Sequence, residues 1–382
     1  MLERRLSTLL MSVWLVISPS VPAATTVDAE AAASAQQVAA GDAAPVLRLH
    51  DNPLIRQLAE GAEAAFLAAP DEPYFARSEP EPITPPPTHT LRVMLDWYIN
   101  PYHAPLIVAR ERGLFDREGL DVTLSAPADP SVPAKLVAAN RAELALTSQP
   151  TLHRLVARDM PLVRVATLIP LPLSGLLVRD DARIDSLAQL KGKTVGYATE
   201  SVAQVYLDAL LEQQPLTPDD VTLKPLDFAL GRALAEGDVD AIIAPLRPTE
   251  RDGLAQQGVA THELTPEESG LPLYDALIIV ANRDTLGQHR RDVSHFLKAL
   301  EQSTLWIIQH PDKAWDLIRK AEPALDTQAN ADAWPNVVRY FALRPALLQP
   351  ERYRGFERYL KARGLHKTIT PLSNLAVELD VP

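Results

Sequence analysis

A short run of polar and aromatic residues, early in the apolar part of the chain, carries groups suited to binding a small heteroaromatic molecule. Asp96 can accept a hydrogen bond from an amine, Trp97 offers a flat face for stacking, and Asn100 can donate and accept. His103 adds an imidazole three residues later. The run begins where strand-like residues 91–95 end, at the edge where open α/β sheets bind ligands. We predict a ligand-binding cluster here, with a capped helix start over a packed tryptophan as the alternative.

A second polar cluster follows another predicted strand, residues 144–147. Ser148, Gln149 and Pro150 come directly after strand-like residues 144–147, and His153 lies one helical turn further on. The side chains of Gln149 and His153 are therefore expected to face the same cleft. A cap-and-turn role for this segment is the alternative.

A third cluster belongs to later strands. Thr199, Glu200 and Ser201 end one strand and open a helix, which is a favourable position for binding polar groups through the backbone. Arg247 follows strand-like residues 241–245, and we expect it either to reach the cleft or to pair with Glu250. A fourth candidate pair, Tyr274 and Asp275, precedes the apolar strand 276–282.

The order D-W-x-x-N-x-x-H, followed by A-x-x-x-G-L-F-x-x-E-G-L-D-V, resembles the opening of the pyrimidine-binding family. That family includes solute-binding components of bacterial uptake systems for thiamin-precursor pyrimidines and the related fungal-type pyrimidine synthases. The resemblance extends, with gaps, over residues 91–360. It implies that the clusters above bind a pyrimidine. In that family the synthases carry a cysteine-rich motif that their activity requires. This chain has no cysteine and therefore lacks the motif.

Two departures from the family pattern concern the ligand. The chain has Glu200 and Ser201 where many relatives carry a glycine-rich turn, which disfavours a phosphorylated ligand. Relatives also carry an acidic residue two places after the tyrosine, and Ala276 stands there in this chain. Either Asp275 or Glu200 is a candidate to substitute for that carboxylate.

Composition limits the possible partners. The chain has 382 residues, a net charge of −12 and a pI of about 5.3, which argue against nucleic acid or anionic lipid as the main partner. The lack of cysteine excludes disulfides and cysteine-ligated metal. Nine histidines occur without metal-ligand spacing, so we predict no metal and no cofactor.

The amino terminus indicates export. Arg4 and Arg5 precede an apolar run over residues 9–17 and a small-residue site ending at Ala23. This pattern predicts a cleavable signal peptide, residues 1–23, and a periplasmic protein, with an uncleaved membrane anchor as the alternative. Residues 24–90 read as an alanine- and proline-rich extension with one short helix.

From residue 91 onward, apolar strands alternate with helical patterns, which predicts α/β architecture with mainly parallel sheets flanked by helices. We expect the two-lobed, type II periplasmic-binding-protein fold. Residues 91–180 and 273–382 would form lobe 1, and residues 181–272 lobe 2. Crossings near 179–183 and 268–276 would form a two-segment hinge. The region 292–364 should be mostly helical, with Trp306, Trp315, Trp334 and Phe341 in its core.

The resulting functional prediction is an exported solute-binding protein, not an enzyme. It would deliver a small pyrimidine, such as hydroxymethylpyrimidine or formylaminopyrimidine, to an inner-membrane ABC permease. A binding protein for a sulfonate, nitrate or alkyl-amine solute is the closer alternative. A pyrimidine synthase is the more distant one.

Overall fold

The computed structural model of the protein describes residues 88–212, 214–264 and 271–382. The predicted signal peptide (1–23), and the predicted extension up to residue 87 with its short helix, lie outside these residues. The described residues belong to one compact unit, Thr84–Pro382. Within those three ranges, no helix combines the length and the apolar character that a membrane span requires.

The first sheet has five strands in the order β2-β1-β3-β10-β4. Its strands are β1 (His89–Met94), β2 (Leu120–Ser125), β3 (Leu144–Thr147), β4 (Leu162–Ile169) and β10 (Leu277–Asn282). Strands β2, β1 and β3 pair in parallel, and β10 runs antiparallel to both β3 and β4. Leu144 and Leu146 pack into one apolar cluster and Ala145 into another, so this sheet is covered on both faces.

The second sheet repeats this arrangement, in the order β7-β6-β8-β5-β9. Its strands are β5 (Gly175–Arg179), β6 (Thr194–Tyr197), β7 (Thr222–Pro225), β8 (Ala241–Ala244) and β9 (Thr261–Glu263). Strand β5 is antiparallel to β8 and β9, as β10 is to its neighbours. We refer to the first sheet with its helices as lobe 1 and to the second sheet with its helices as lobe 2. The predicted α/β fold with mainly parallel sheets is confirmed, with one reversed strand in each sheet.

The helices of lobe 1 precede lobe 2 in the chain or follow it. They are α1 (Ala104–Glu111), α2 (Leu114–Arg117), α3 (Pro133–Ala138), α4 (Gln149–Val156), α8 (Leu286–Gln309), α9 (Pro311–Ala321), α10 (Gln328–Val338), α11 (Pro350–Ala362) and α12 (Leu372–Leu375). Lobe 2 contains α5 (Glu200–Leu211), α6 (Leu230–Glu236) and α7 (Arg247–Gln256). The predicted helical carboxyl-terminal region is therefore present. Of its aromatic residues, Trp334 and Phe341 are buried, and Trp306 and Trp315 pack against the same core.

The first crossing between the lobes lies earlier than predicted. We assigned residues 175–179 to lobe 1, but this strand, β5, hydrogen-bonds within the second sheet. The chain therefore crosses between β4 and β5 and not near residues 179–183. It returns between β9 and β10, where the hydroxyl of Tyr274 donates to Ser174 Oγ at 2.9 Å and ties the two crossings together. An apolar strand reads alike in either lobe, so only its pairing partners decide where it belongs.

Candidate functional site

A cavity lies between the lobes, where strands β1 and β3 of one sheet and β6 and β8 of the other end. Its lobe 1 wall consists of Asp96, Trp97, Tyr98, Asn100, Pro130, Thr147, Ser148, Thr151 and Ala276. Its lobe 2 wall consists of Thr199, Val202, Pro245, Leu246, Thr249 and Glu250. Both walls are built at carboxyl ends of strands, which is the location expected for ligand binding in open α/β sheets.

Asp96 projects into this cavity with a fixed orientation. Its Oδ1 lies 2.8 Å from Nε2 of His103, whose ring is completely buried. The other ring nitrogen, Nδ1, accepts a hydrogen bond from the backbone N–H of Asn100 at 3.2 Å. Nε2 therefore carries the proton, and its N–H donates a hydrogen bond to Asp96. His103 lies behind the cavity wall and acts as a support for the carboxylate.

Asn100 holds the loop that carries these residues. Its Oδ1 accepts from the backbone N–H of Tyr102 at 2.9 Å, and its amide donates to the carbonyl oxygen of Tyr98 at 3.1 Å. These bonds cap the short 3-10 helix Pro101–His103. The residue lines the cavity, but its side-chain amide is hydrogen-bonded to backbone groups of its own loop. The capping alternative considered for this segment thus describes the main contacts of Asn100.

The aromatic wall is shared by the two lobes. Trp97 belongs to lobe 1, yet its side chain packs into an apolar cluster of lobe 2. Its ring meets Phe228 edge to face at a centroid distance of 4.5 Å, and Tyr98 lies tilted at 5.4 Å. Only 7% of Trp97 is exposed, whereas 52% of Tyr98 is exposed. The loop after β1 therefore supplies both an aromatic surface of the cavity and a contact between the lobes.

Hydroxyl groups connect the two lobes beside the cavity. Ser148 caps helix α4 by accepting from the backbone N–H of Thr151. The Thr151 hydroxyl lies 3.0 Å from that of Ser148 and 2.9 Å from that of Ser201, on α5 of lobe 2. Thr199, the residue before α5, lines the cavity itself. Ser201 thus contributes to the contact between the lobes and lies outside the lining.

The structure places Gln149 and His153 away from the cavity, because both side chains are fully buried behind it. Gln149 Oε1 accepts from the backbone N–H of Asp275 at 2.9 Å, and its amide lies 3.3 Å from His153 Nε2. His153 Nδ1 lies 2.9 Å from a carboxylate oxygen of Glu357, and burial lowers the pKa of His153. These two residues brace the return crossing and not the solute cavity.

Tyr274 and Asp275 are also buried outside the cavity. Asp275 accepts hydrogen bonds from the hydroxyls of Thr167 at 2.8 Å and Tyr353 at 2.9 Å, and it pairs with Arg352. This carboxylate is therefore fully engaged. It does not replace the acid that the family pattern places at Ala276, although Ala276 itself lines the cavity.

Glu200 and Arg247 form ion pairs elsewhere. The Glu200 side chain is 63% exposed and pairs with Arg154 at 2.6 Å, outside the cavity lining. Arg247 pairs with Glu263 at 2.5 Å, and not with Glu250 as one alternative had it. The expected substitution of Glu200 for the missing carboxylate therefore has no support in the geometry.

Glu250 is the acid that reasoning from the sequence overlooked as a site residue. It lies in the first turn of α7, and burial alone raises its pKa to about 7. Among the described residues, its carboxyl group has no hydrogen bond or ion pair. The signal was available, since residues 241–245 were predicted as a strand and Glu250 follows its carboxyl end by one helical turn. Tyr98, next to Trp97, was detectable by the same reasoning.

Comparison with known proteins places the chain in a family. The NMT1/THI5 like family matches residues 100–314. A putative thiamine biosynthesis protein of Haemophilus influenzae is 38% identical over 294 residues, covering 76% of this chain and 92% of its own length. A formylaminopyrimidine-binding protein of Halalkalibacterium halodurans is 32% identical, covering 60% and 69%. A 4-amino-5-hydroxymethyl-2-methylpyrimidine phosphate synthase of Candida albicans is 26% identical, covering 67% and 78%.

The fold is also similar to that of solved binding proteins. The alkanesulfonate-binding protein SsuA of Xanthomonas axonopodis pv. citri, bound to MOPS, superimposes with a TM-score of 0.63 at 17% identity. The match covers 76% of this chain and 99% of that one. At this identity the likeness establishes the fold, which is that of the two-lobed periplasmic binding proteins. Together with the motif that begins at Asp96, these matches show that the chain belongs to the NMT1/THI5-like family.

Proposed function

We propose that this protein is the solute-binding component of an ABC importer and that it binds a small aminopyrimidine, a thiamin precursor, between its lobes. The observation that carries the proposal is the cavity between the two sheets, which combines an aromatic wall with two carboxyl groups. Trp97 and Tyr98 supply the aromatic wall, Asp96 projects from lobe 1, and Glu250 projects from lobe 2. A heteroaromatic amine matches this combination, because its ring can stack while its N–H groups donate to the acids.

The charge of the cavity supports a neutral or cationic solute. Its acidic lining residues are Asp96 and Glu250, and neither lysine nor arginine is among the lining residues. A sulfonate or nitrate ion calls for converging cationic or N–H donors, so this wall is poorly suited to one. A phosphate ester of the pyrimidine would be repelled for the same reason. The relative that binds formylaminopyrimidine supports the same ligand class.

A pyrimidine synthase is the second candidate, because the fungal synthases are related to the chain. The complete absence of cysteine from this chain disfavours it, since the family resemblance implies that those enzymes need a cysteine-rich motif for activity. A binding role requires a cleft, a pair of crossings and two lobes, which this chain possesses. Together with the predicted signal peptide, these features support an exported protein that docks on an inner-membrane permease.

Three measurements test the proposal. Native mass spectrometry of protein purified from its own periplasm should detect a retained aminopyrimidine. Calorimetric titration should give saturable binding of 4-amino-5-hydroxymethyl-2-methylpyrimidine and weaker binding of its phosphate ester. After prolonged incubation, mass spectrometry should recover the pyrimidine chemically unchanged. Tighter binding of an alkanesulfonate, or of the phosphate ester, would refute the proposed ligand class, and turnover of the pyrimidine would refute the binding role.

A further inference from the structure

Glu250 has the features of a residue that hydrogen-bonds to a ligand. Glu250 lines the cavity, half-buried, in the first turn of α7. Within the described part of the chain, it forms no hydrogen bond and no ion pair. Arg247, three residues earlier on the same helix, is already paired with Glu263. An acid held in a cavity without a partner costs free energy, which a ligand that hydrogen-bonds to it would recover.

Burial, and not a neighbouring charge, determines the pKa of Glu250. Asp96 and Tyr98 share the cavity wall with it. The ionisable residues on its own helix and on the elements packed against that helix are Arg247, Arg251 and Asp252 of α7, Arg232 and Glu236 of α6, Arg179 of β5, His262 and Glu263 of β9, and Asp332 of α10. None of these charges changes the pKa of Glu250, which burial alone raises to about 7. The side chain is therefore able to be present as a neutral acid at physiological pH.

We propose that Glu250 reads the amidine edge of the solute, meaning an exocyclic amine together with the adjacent ring nitrogen, through one shared proton. This inference rests on the proposed function. The carbonyl oxygen of the acid accepts an N–H of the amine, and its O–H donates to the lone pair of the ring nitrogen. An ionised carboxylate presents two acceptors, so one of them would face that lone pair without a proton between them. The proton is needed whether it resides on the acid or on the ring.

This pairing makes affinity depend on pH in a defined direction. Below about pH 7 the acid already carries the proton, so the affinity for the aminopyrimidine should not change with pH until the solute itself titrates. Above that pH the free protein has lost the proton and must take it up on binding. The affinity should then fall by about tenfold for each pH unit. A pyrimidine with an oxo group in place of the amine offers the reversed donor–acceptor order and should bind more weakly.

Substitution of Glu250 by glutamine distinguishes the shared-proton role of this residue from a purely electrostatic one. The amide of a Glu250→Gln variant can donate to the ring nitrogen and accept from the amine without any titrating proton. Its affinity for 4-amino-5-hydroxymethyl-2-methylpyrimidine should therefore stay constant between pH 7.5 and pH 9, where the solute is neutral and wild type loses affinity. Glu250→Ala should bind at least tenfold more weakly than wild type at pH 6. Glu200→Gln, which alters an exposed acid outside the cavity, is the matched control and should keep the wild-type pH profile.

Calorimetry in two buffers of different ionisation enthalpy, at pH 8.5, counts the protons directly. The proposal requires uptake of about one proton per solute by wild type and by Glu200→Gln, and none by Glu250→Gln. If wild type binds the pyrimidine without proton uptake, or if Glu250→Ala binds as tightly as wild type, the role of Glu250 is overturned while the proposed function stands. If wild type does not bind the pyrimidine at all, both are overturned. Circular dichroism and urea unfolding of each variant ensure that lost binding is not lost folding.

Discussion

Removal of Trp97 should weaken solute binding strongly, because this side chain joins the solute cavity to the core of lobe 2. The residue belongs to lobe 1, is only 7% exposed, and packs edge to face against Phe228 of lobe 2. In a Trp97→Ala variant, the solute loses an aromatic surface and the closed arrangement loses a contact between the lobes. Both losses disfavour the bound state.

The size of the effect follows from the burial of the ring. A tryptophan side chain buried to this extent covers about 150–250 Å², which at about 25 cal/mol per Å² corresponds to ~4–6 kcal/mol. The edge-to-face contact with Phe228 contributes about 0.5–1.5 kcal/mol more. Part of this burial persists in the open, solute-free protein, so we expect binding to weaken by about 2–4 kcal/mol, or roughly 30- to 900-fold.

Calorimetric titration of 4-amino-5-hydroxymethyl-2-methylpyrimidine into wild type and Trp97→Ala measures this loss. Trp306→Phe is the matched control, since Trp306 lies on α8 beneath Arg112, outside the cavity lining. The control should bind as wild type does and should keep the change in tryptophan fluorescence that the solute causes. Urea unfolding must show that Trp97→Ala is folded. A folded Trp97→Ala variant with unchanged affinity would refute both the stacking role and the argument from closure.

Three other predictions concern stability, specificity and export. Burial opposes ionisation of Glu357, but hydrogen bonds from two histidines lower its pKa to about 2. The ionised carboxylate therefore stabilises the folded protein above the unfolded pKa of about 4.3, and this stabilisation is lost as the pH falls towards 2. Urea unfolding of Glu357→Gln between pH 3 and pH 7 should therefore lack part of the acid dependence of wild type, and parallel curves would contradict this. Glu200→Gly should leave the preference for the free pyrimidine over its phosphate ester unchanged, because Glu200 pairs with Arg154 outside the cavity; a narrowed preference in calorimetry would place Glu200 at the site after all. Amino-terminal sequencing of periplasmic protein should begin at Ala24 or Thr25, and intact protein found only in the cytoplasm would exclude export.

The sequence alone determined the fold class and the location of the first wall of the site. Alternation of apolar strands with helical patterns is a local property, so it predicted α/β lobes without knowledge of contacts. The rule that ligands bind at the carboxyl ends of strands placed Asp96, Trp97, Asn100 and Thr199 at the cavity, which they line. Ala276, where the family pattern has an acid, lines it too.

Tertiary structure decided which of the remaining polar side chains reach the cavity. Gln149, His153 and Asp275 follow or precede strands in the same way as the lining residues, but their side chains point into a buried hydrogen-bond network. Glu200 and Glu250 each lie in the first turn of a helix after a strand. Glu200 pairs with Arg154, whereas Glu250 lines the cavity. Strand-end position is encoded locally. The direction and the partner of a side chain depend on residues far apart in the chain, which only the packing of the two lobes brings together.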